Sequence, residues 1–303
     1  MRGITRLLGR RTPPARVFGL LMTRDAVDVV EACLRHHLGL GVERMLVVDN
    51  GSTDGTFELL QRLSGELPVD LEADDGPFQQ GHAFTRLAHE TARRGADWVL
   101  PLDADEFWVT SGKPLPALLT RRRAGALKVQ VVNFIQRREQ LYPDPGALLS
   151  MTMRVPVPLP QNDRTRALLN ADRLSFLEMQ YPSKHIVRAS EAVVIDSGNH
   201  TVDSVPGPIE KDRALRCLHA PLRSKRDLEL RTEQGRRVEA RGYAHDESWH
   251  VRRWARMERE QTLVRDWPAH SYADGRLDVY GRPAELVADT RLRDVVAPLV
   301  PGP

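Results

Sequence analysis

The sequence is short of several things, and each shortage excludes something. Only two cysteines occur in 303 residues, Cys33 and Cys217. With no Cys-x-x-Cys pair, a disulfide framework is excluded and a reducing compartment fits best. No uninterrupted apolar run approaches the roughly 20 residues needed to cross a bilayer. No Walker-type lysine loop is present, which argues against a P-loop enzyme. No basic motif is interleaved with aromatics, so nothing points to nucleic acid. Internal repeats and low-complexity tracts are also missing. The stretch from Met1 to Arg16 is basic but lacks a hydrophobic centre, so it does not read as a signal peptide. Residues 1–15 are expected to form a flexible basic tail, with weak electrostatic contact with membrane lipid as the sharper alternative.

What is present is an ordinary globular composition, 41% hydrophobic and 28% charged, enough for one large domain or a domain with an appendage. The net charge of +3 and pI near 9.0 suit an anionic substrate or an acidic membrane surface.

The most informative stretch runs from Trp98 to Trp108. An apolar run ends abruptly in Asp103, Asp105 and Glu106, which reads as a buried strand delivering carboxylates at its carboxyl end. In an open α/β sheet that end is where ligands bind. Alternation would put Asp103 and Asp105 on one side of an extended chain, where both could face one hard cation, magnesium or manganese. The bland alternative is a set of helix caps or solvated turn residues.

Upstream, Val17 to Met22 reads as a strand. A helical pattern follows through Val29, Val30, Cys33, Leu34 and Leu38, ended by Gly39 and Gly41. Arg44 to Val48 reads as a second strand entering the polar loop Asp49 to Thr56, with a helix from Thr56 to Leu63. That loop can bind ribose hydroxyls or a base edge, or it can be an ordinary capped turn. Pro68 to Leu71 suggests a short strand, and a helix through Ala83, Leu87 and Ala88 feeds the Trp98 strand. This alternation is a βαβ pattern and implies a parallel sheet.

Three motifs, Met22-Thr23-Arg24-Asp25, Val48-Asp49-Asn50-Gly51-Ser52-Thr53-Asp54-Gly55-Thr56 and Leu102-Asp103-Ala104-Asp105-Glu106-Phe107, occur in that order. Together they resemble family 2-type glycosyltransferases of GT-A fold. The closest likeness is to a subgroup related in pattern to family 92, whose acidic motif reads Asp-x-Asp-Glu-Phe. The resemblance covers residues 17–110 and implies a Rossmann-like nucleotide-diphospho-sugar transferase fold, with a mixed central sheet flanked by helices. It further implies that Asp25 and Asp49 contact the donor nucleoside, with Arg24, Asn50 and Asp54 nearby. Asp103 and Asp105 would hold Mn2+ or Mg2+ on the donor diphosphate. Asp25 stands where the family commonly has Glu. Glu106 would orient the cluster, serve the acceptor, or act as a cap.

The later half resembles the subgroup more loosely, through the Lys184 strand, the segment 193–202 and His219 to Lys225. Ala220 replaces an aromatic that is common after that histidine. His219, leading into Arg223 and Lys225, is favoured as a third metal ligand. Lys184, Arg223 and Lys225 are candidate phosphate partners, since cations must offset charge on a leaving diphosphate. His200 and Asp196 are the candidate bases, and His200 could instead contact the acceptor. Each histidine could equally be a hydrogen-bonded structural residue, and each cation a solvated one.

Domain boundaries are expected at 16–230 for the catalytic unit and 231–303 for a helical extension packed on it. The helix candidate from Asp246 to Trp267, with its tryptophans, would cover the catalytic unit or lie on a membrane surface. The combined expectation is a cytoplasmic, metal-dependent glycosyltransferase, with the inner membrane face as the alternative location, inverting by resemblance. Its partners would be a nucleotide-sugar donor and a glycan or other hydroxyl-bearing acceptor, with surface-glycan synthesis as the guessed setting. The competing readings are a Mg-dependent phosphohydrolase or nucleotidyltransferase, and a non-catalytic sugar-binding protein of the same fold.

Overall fold

The computed structural model describes residues 12–240 and 249–300. Its first half alternates strictly. The strands and helices are β1 (Val17–Thr23), α1 (Val30–Gly39), β2 (Arg44–Asp49), α2 (Thr56–Glu66), β3 (Val69–Ala73), α3 (Gln80–Arg93) and β4 (Trp98–Leu102). β5 (Glu106–Thr110) follows after the acid turn. Then come β6 (Ala126–Val129), β7 (Val131–Asn133), β8 (Lys184–Arg188), β9 (Ile209–Lys211) and β10 (Leu215–His219). The central seven-stranded sheet has the order β9-β6-β8-β4-β1-β2-β3. β3, β2, β1 and β4 are mutually parallel, and β8 runs antiparallel to both β4 and β6. The result is a mixed α/β protein with a mostly parallel sheet flanked by helices, as the βαβ pattern predicts.

Period-two alternation builds the core. In β1, Val17 and Leu21 join the cluster under α1 and α2, while Phe18, Leu20 and Met22 join the one under α3. β2 divides the same way, Met45 and Val47 against Leu46 and Val48. Both faces being covered, these strands read as continuous apolar runs. Their parallel register ends with Thr23 beside Asp49, so the loops after β1 and β2 open side by side.

A second, three-stranded sheet has the order β5-β10-β7. Its register sets His219 opposite Glu106 on one side and Asn133 on the other. The chain passes from the large sheet into this one through Asp103 and Asp105, so the acid turn sits at the junction.

The region after residue 230 is more than a helical extension. Helices α4 (Lys225–Ala240) and α5 (Trp249–Arg259) are followed by three strands, Ser271–Ala273, Arg276–Val279 and Arg282–Ala284. These make a four-stranded sheet with Gln136–Arg137. The sequence signal was Asp274-Gly275 between Tyr272 and Leu277. Both turn residues have positive φ, +49° and +71°, the geometry of a two-residue hairpin. The expected long helix to Trp267 ends at Arg259, and residues 241–248 of the neighbouring stretch lie outside those described. Trp254, Met257 and Trp267 are buried with Leu222 and Leu228. These tryptophans therefore face the protein, and they are not free to lie on a membrane. No helix among the described residues is long and apolar enough to cross one.

Candidate active site

The acid stretch is a strand, then a tight turn, then another strand. The sequence expectation of an extended Asp-x-Asp therefore gives way to a turn, in which the Glu106 N–H donates to Asp103 O at 3.1 Å. The turn itself brings the two carboxylates into one cluster, and side-chain alternation plays no part.

Strand polarity supplies the first cation. Because β8 is antiparallel to β4, its first residue lies at the carboxyl end of the parallel strands. There the Lys184 ammonium is 2.7 Å from Asp103 Oδ2 and 2.7 Å from Glu106 Oε1, and only 1% of its side chain is exposed. Burial disfavours its charge, but Asp103 and Glu106 outweigh burial and hold Lys184 well above an ordinary lysine. Burial would likewise raise Asp103, and Lys184 reverses that to leave it below the usual carboxylate range. Glu106 goes the other way: its complete burial outweighs Lys184 and raises it. Lys184 was expected at phosphate, yet here it is spent inside the cluster.

The other oxygen of Asp103 is held by Gln80, the first residue of α3, at 2.6 Å. Gln80 in turn accepts from the Gly198 N–H at 2.8 Å. Gly198 has φ +68°, and a Cβ there would lie 2.8 Å from the His200 ring. Glycine is required on both counts.

Asp105 collects the remaining cations. Arg231 lies 2.9 Å from Oδ2, Arg223 3.8 Å, and His219 Nε2 is 3.5 Å from Oδ1. Burial opposes ionisation of Asp105, but His219, Arg231 and Arg223 overcome it and drive the carboxyl far below its ordinary value. Arg223 is buried and forked onto Asp28 at 2.7 and 3.1 Å, with Asp227 at 3.2 Å. Asp28, Asp227, Arg231, Gln80, Asn133 and Tyr181 were all missed by sequence reasoning. Arg231 and Asp227 had a legible signal, since both follow Arg223 at helical spacing, at four and eight residues.

The cluster has five carboxylates (Asp28, Asp103, Asp105, Glu106, Asp227) against three permanent cations (Lys184, Arg223, Arg231). That excess of negative charge suits a cation. His219 Nδ1 is 2.8 Å from Asn133 Oδ1, so the Nδ1 proton is donated there and Nε2 is the ring atom that faces Asp105. A hard ion between Asp105 and His219 satisfies both, and the 3.5 Å separation fits two ligands of one ion. Asp103 is less available, with both oxygens engaged by Lys184 and Gln80. Among the described residues no three His, Cys, Asp or Glu side chains converge to hold a metal unaided. An ion here would complete its shell with water and ligand oxygens.

The expected nucleoside residues form a separate network at the ends of β1 and β2. Asp49 accepts from the Ser52 N–H at 3.0 Å and hydroxyl at 2.5 Å. Asp25, at φ +49°, accepts from the Thr53 N–H at 2.7 Å and lies 3.6 Å from Arg24. Asp54 Oδ1 accepts from Thr56 N and Oγ1 at the start of α2, and its Oδ2 accepts from Val27 N, so the side chain clamps the loop to the helix start. The Asn50 amide donates to Asp74 O and Gly76 O, while its Oδ1 is buried without a partner among the described residues.

Of the candidate bases, His200 lies in the cluster's vicinity, its ring 5.7 Å from that of Tyr181. Burial, reinforced by Lys184, lowers it to about 4. Asp196 is exposed, and its oxygens take Ser197 N at 2.8 Å and Thr201 Oγ1 at 2.9 Å. That is the geometry of a turn cap, and no contact among the described residues links it to the acid turn. Lys225, half-buried at the start of α4, has an ammonium with no hydrogen-bond or ion-pair partner among the described residues.

Fold and site together define an α/β protein that gathers buried carboxylates and cations at the carboxyl ends of parallel strands. No family model and no curated protein matches the sequence. Among solved structures it is similar to the mannosyltransferase PcManGT from Pyrobaculum calidifontis in complex with GDP-Man and Mn2+. That likeness has 14% identity and a TM-score of 0.41, over 84% of this chain and 73% of that one. It is also similar to residues 1–349 of S. aureus TarS in complex with UDP-GlcNAc, at 13% identity and TM-score 0.40, over 86% and 74%. Glucosyl-3-phosphoglycerate synthase from Mycobacterium tuberculosis matches at 18% identity and TM-score 0.31, over 58% and 57%.

Proposed function

We propose that this chain is a glycosyltransferase of GT-A type that moves a sugar from a nucleoside-diphosphate donor to an acceptor hydroxyl. The observation that carries this reading is the Asp103–Asp105 turn at the carboxyl end of β4, half-buried at Asp103 and buried at Asp105, surrounded by Lys184, Arg223 and Arg231. A site that must hold a diphosphate and release it after bond cleavage needs anionic and cationic groups side by side. The three motifs named above point the same way.

The donor nucleoside lies over the adjoining loops after β1 and β2. Asp25 and Asp49 offer their remaining acceptor sites to ribose hydroxyls or a base N–H, for each carboxylate has about four. Lys225 meets the diphosphate with an uncommitted charge. Asp105 and His219 would hold Mn2+ or Mg2+, which when bound supplies charge neutralisation at the leaving phosphate. Lys184 and Gln80 keep Asp103 oriented and ionised. The acceptor oxygen bonds to the anomeric carbon as the bond to the diphosphate breaks, in one displacement with inversion, and the electron pair leaves on the phosphate. His200 is the candidate for the hydroxyl proton, being neutral at physiological pH. The setting we favour is the cytoplasm, in the making of a surface glycan.

A panel of nucleotide sugars, with and without Mn2+ or Mg2+, tests this reading. Metal-dependent sugar release that is lost in Asp105→Ala, with folding intact by circular dichroism, is the expected result. Cleavage of nucleotides that carry no sugar would instead favour the phosphohydrolase alternative.

A further inference from the structure

The acid turn does not exhaust the charged architecture. On the other side of His219 lies an open cleft of about 190 Å³ along β7, lined by Val132, Asn133, Tyr181 and three arginines, Arg154, Arg216 and Arg291. Its walls are otherwise mainly apolar, from Val131, Val155, Leu177 and Met179. One end abuts the cluster directly. Asn133 accepts from His219, and the Tyr181 ring lies 4.7 Å from the imidazole. Arg216 precedes His219 by three residues on β10, so its backbone is roughly 10 Å further along the strand.

The charge there is unbalanced. Asp289 is the one carboxylate that meets these arginines among the described residues, and it binds both Arg154 and Arg291. Burial alone would raise Asp289, but hydrogen bonds from Arg291 and Arg154 outweigh it and hold the carboxyl at about 2. Arg216 donates only to backbone carbonyls, Arg213 O and Leu215 O. Three guanidinium groups against one carboxylate leave an excess of two positive charges. A phosphate monoester carries about −1.5 to −2 at neutral pH, and guanidinium forks match its oxygens. The volume is below the roughly 300–1,000 Å³ of drug-sized pockets, which suits one small unit and not a polymer.

Resting on the transferase reading above, we infer that this cleft receives the acceptor and that the acceptor bears a phosphate monoester. The phosphate sits on Arg216, Arg154 and Arg291, and the reacting hydroxyl lies at the Tyr181–Asn133 end beside His219. The apolar walls cover the carbon skeleton between them.

The test titrates the full chain with glycerol 3-phosphate and with glycerol, alone and in the presence of saturating nucleoside diphosphate. Glycerol 3-phosphate should raise the melting temperature, glycerol should not, and the rise should persist with nucleotide bound. Arg216→Gln should weaken it about tenfold or more. Val132→Trp, which fills the cleft without altering a charge, should abolish it. Arg226→Gln, the same charge change on the exposed surface, should leave it intact. No response to glycerol 3-phosphate, an unchanged response in both cleft variants, or competition with the nucleotide would overturn the inference. Nucleotide binding is read in the same experiment. If it holds while glycerol 3-phosphate fails, only the acceptor assignment falls; if the nucleotide fails too, so does the transferase reading.

Discussion

Lys184 shows how much one side chain can decide. Its ammonium is the direct neutraliser of Asp103 and Glu106, both within 2.7 Å, in a place water hardly reaches. Lys184→Met should therefore leave two carboxylates facing each other and destabilise the protein by about 3–5 kcal/mol. Denaturant unfolding of Lys184→Met, and of Lys184→Met with Glu106→Gln, would read this. Partial recovery in the double variant is expected, because one of the stranded charges is then removed. Equal stability of wild type and single variant would contradict the assignment. Asp54 makes the opposite case. Its oxygens hold Thr56 at the start of α2 and clamp Val27, so Asp54→Ala should lower stability by about 1 kcal/mol while nucleotide affinity changes little. A large loss of affinity with no change in stability would instead support the donor-binding role that the resemblance implies.

At the scale of elements, β1 to β4 and α1 to α3 were legible because their apolar residues follow simple periods and their loops carry glycine and capping residues. The acid turn was legible in position, at the carboxyl end of β4. Its geometry was not, because the chain reverses between Asp103 and Glu106 instead of running on. Partners drawn from distant segments were harder still. Gln80 reaches Asp103 only because α3 begins at that edge, and Asn133 meets His219 only through the register of β7 with β10. The C-terminal region hid most, since its hairpins are short and its apolar residues sparse. What fastens it is a buried network about Asp266, which takes Arg253 at 3.0 Å, Trp254 Nε1 at 2.5 Å and the Tyr280 hydroxyl. Ser175 and His270 adjoin it at 2.5 Å from each other, with Asp266 3.2 Å from the ring. All three are fully buried, so this Ser-His-Asp arrangement is sealed from substrate and serves packing. Asp266→Asn should leave the buried Arg253 with only the more exposed Asp172, 2.8 Å away, as its counter-charge and cost about 3 kcal/mol, seen as a lower melting temperature at pH 7. A melting temperature within a degree of wild type would contradict that role.

For the whole molecule, buried histidines make stability respond to acid, and two of the four that burial lowers, His37 and His200, are shifted furthest. Burial, with His36 adding to it, lowers His37 to about 3; burial and Lys184 lower His200 to about 4. The unfolded chain takes up these protons near pH 6.5 and the folded protein does not. Their contribution is thus fully present above about pH 6.5 and is lost as pH falls toward 4 and then 3. Each group steepens the fall by up to about 1.4 kcal/mol per pH unit. Unfolding free energies measured from pH 7 to pH 4 should decline through that window, and less steeply in His37→Gln. A flat profile would show that these rings are protonated in the folded state.

The central claim is that the ends of β1, β2 and β4 form a nucleoside-diphosphate site completed by a divalent ion. Melting temperatures of the full chain, recorded against a panel of nucleoside diphosphates with and without Mn2+, test it most directly. A ligand at 100 times its Kd stabilises by about 2.7 kcal/mol. A clear rise with one nucleotide family, larger with the metal and lost in Asp105→Ala, is the expected result. No rise with any nucleotide, in protein shown to be folded, would contradict it.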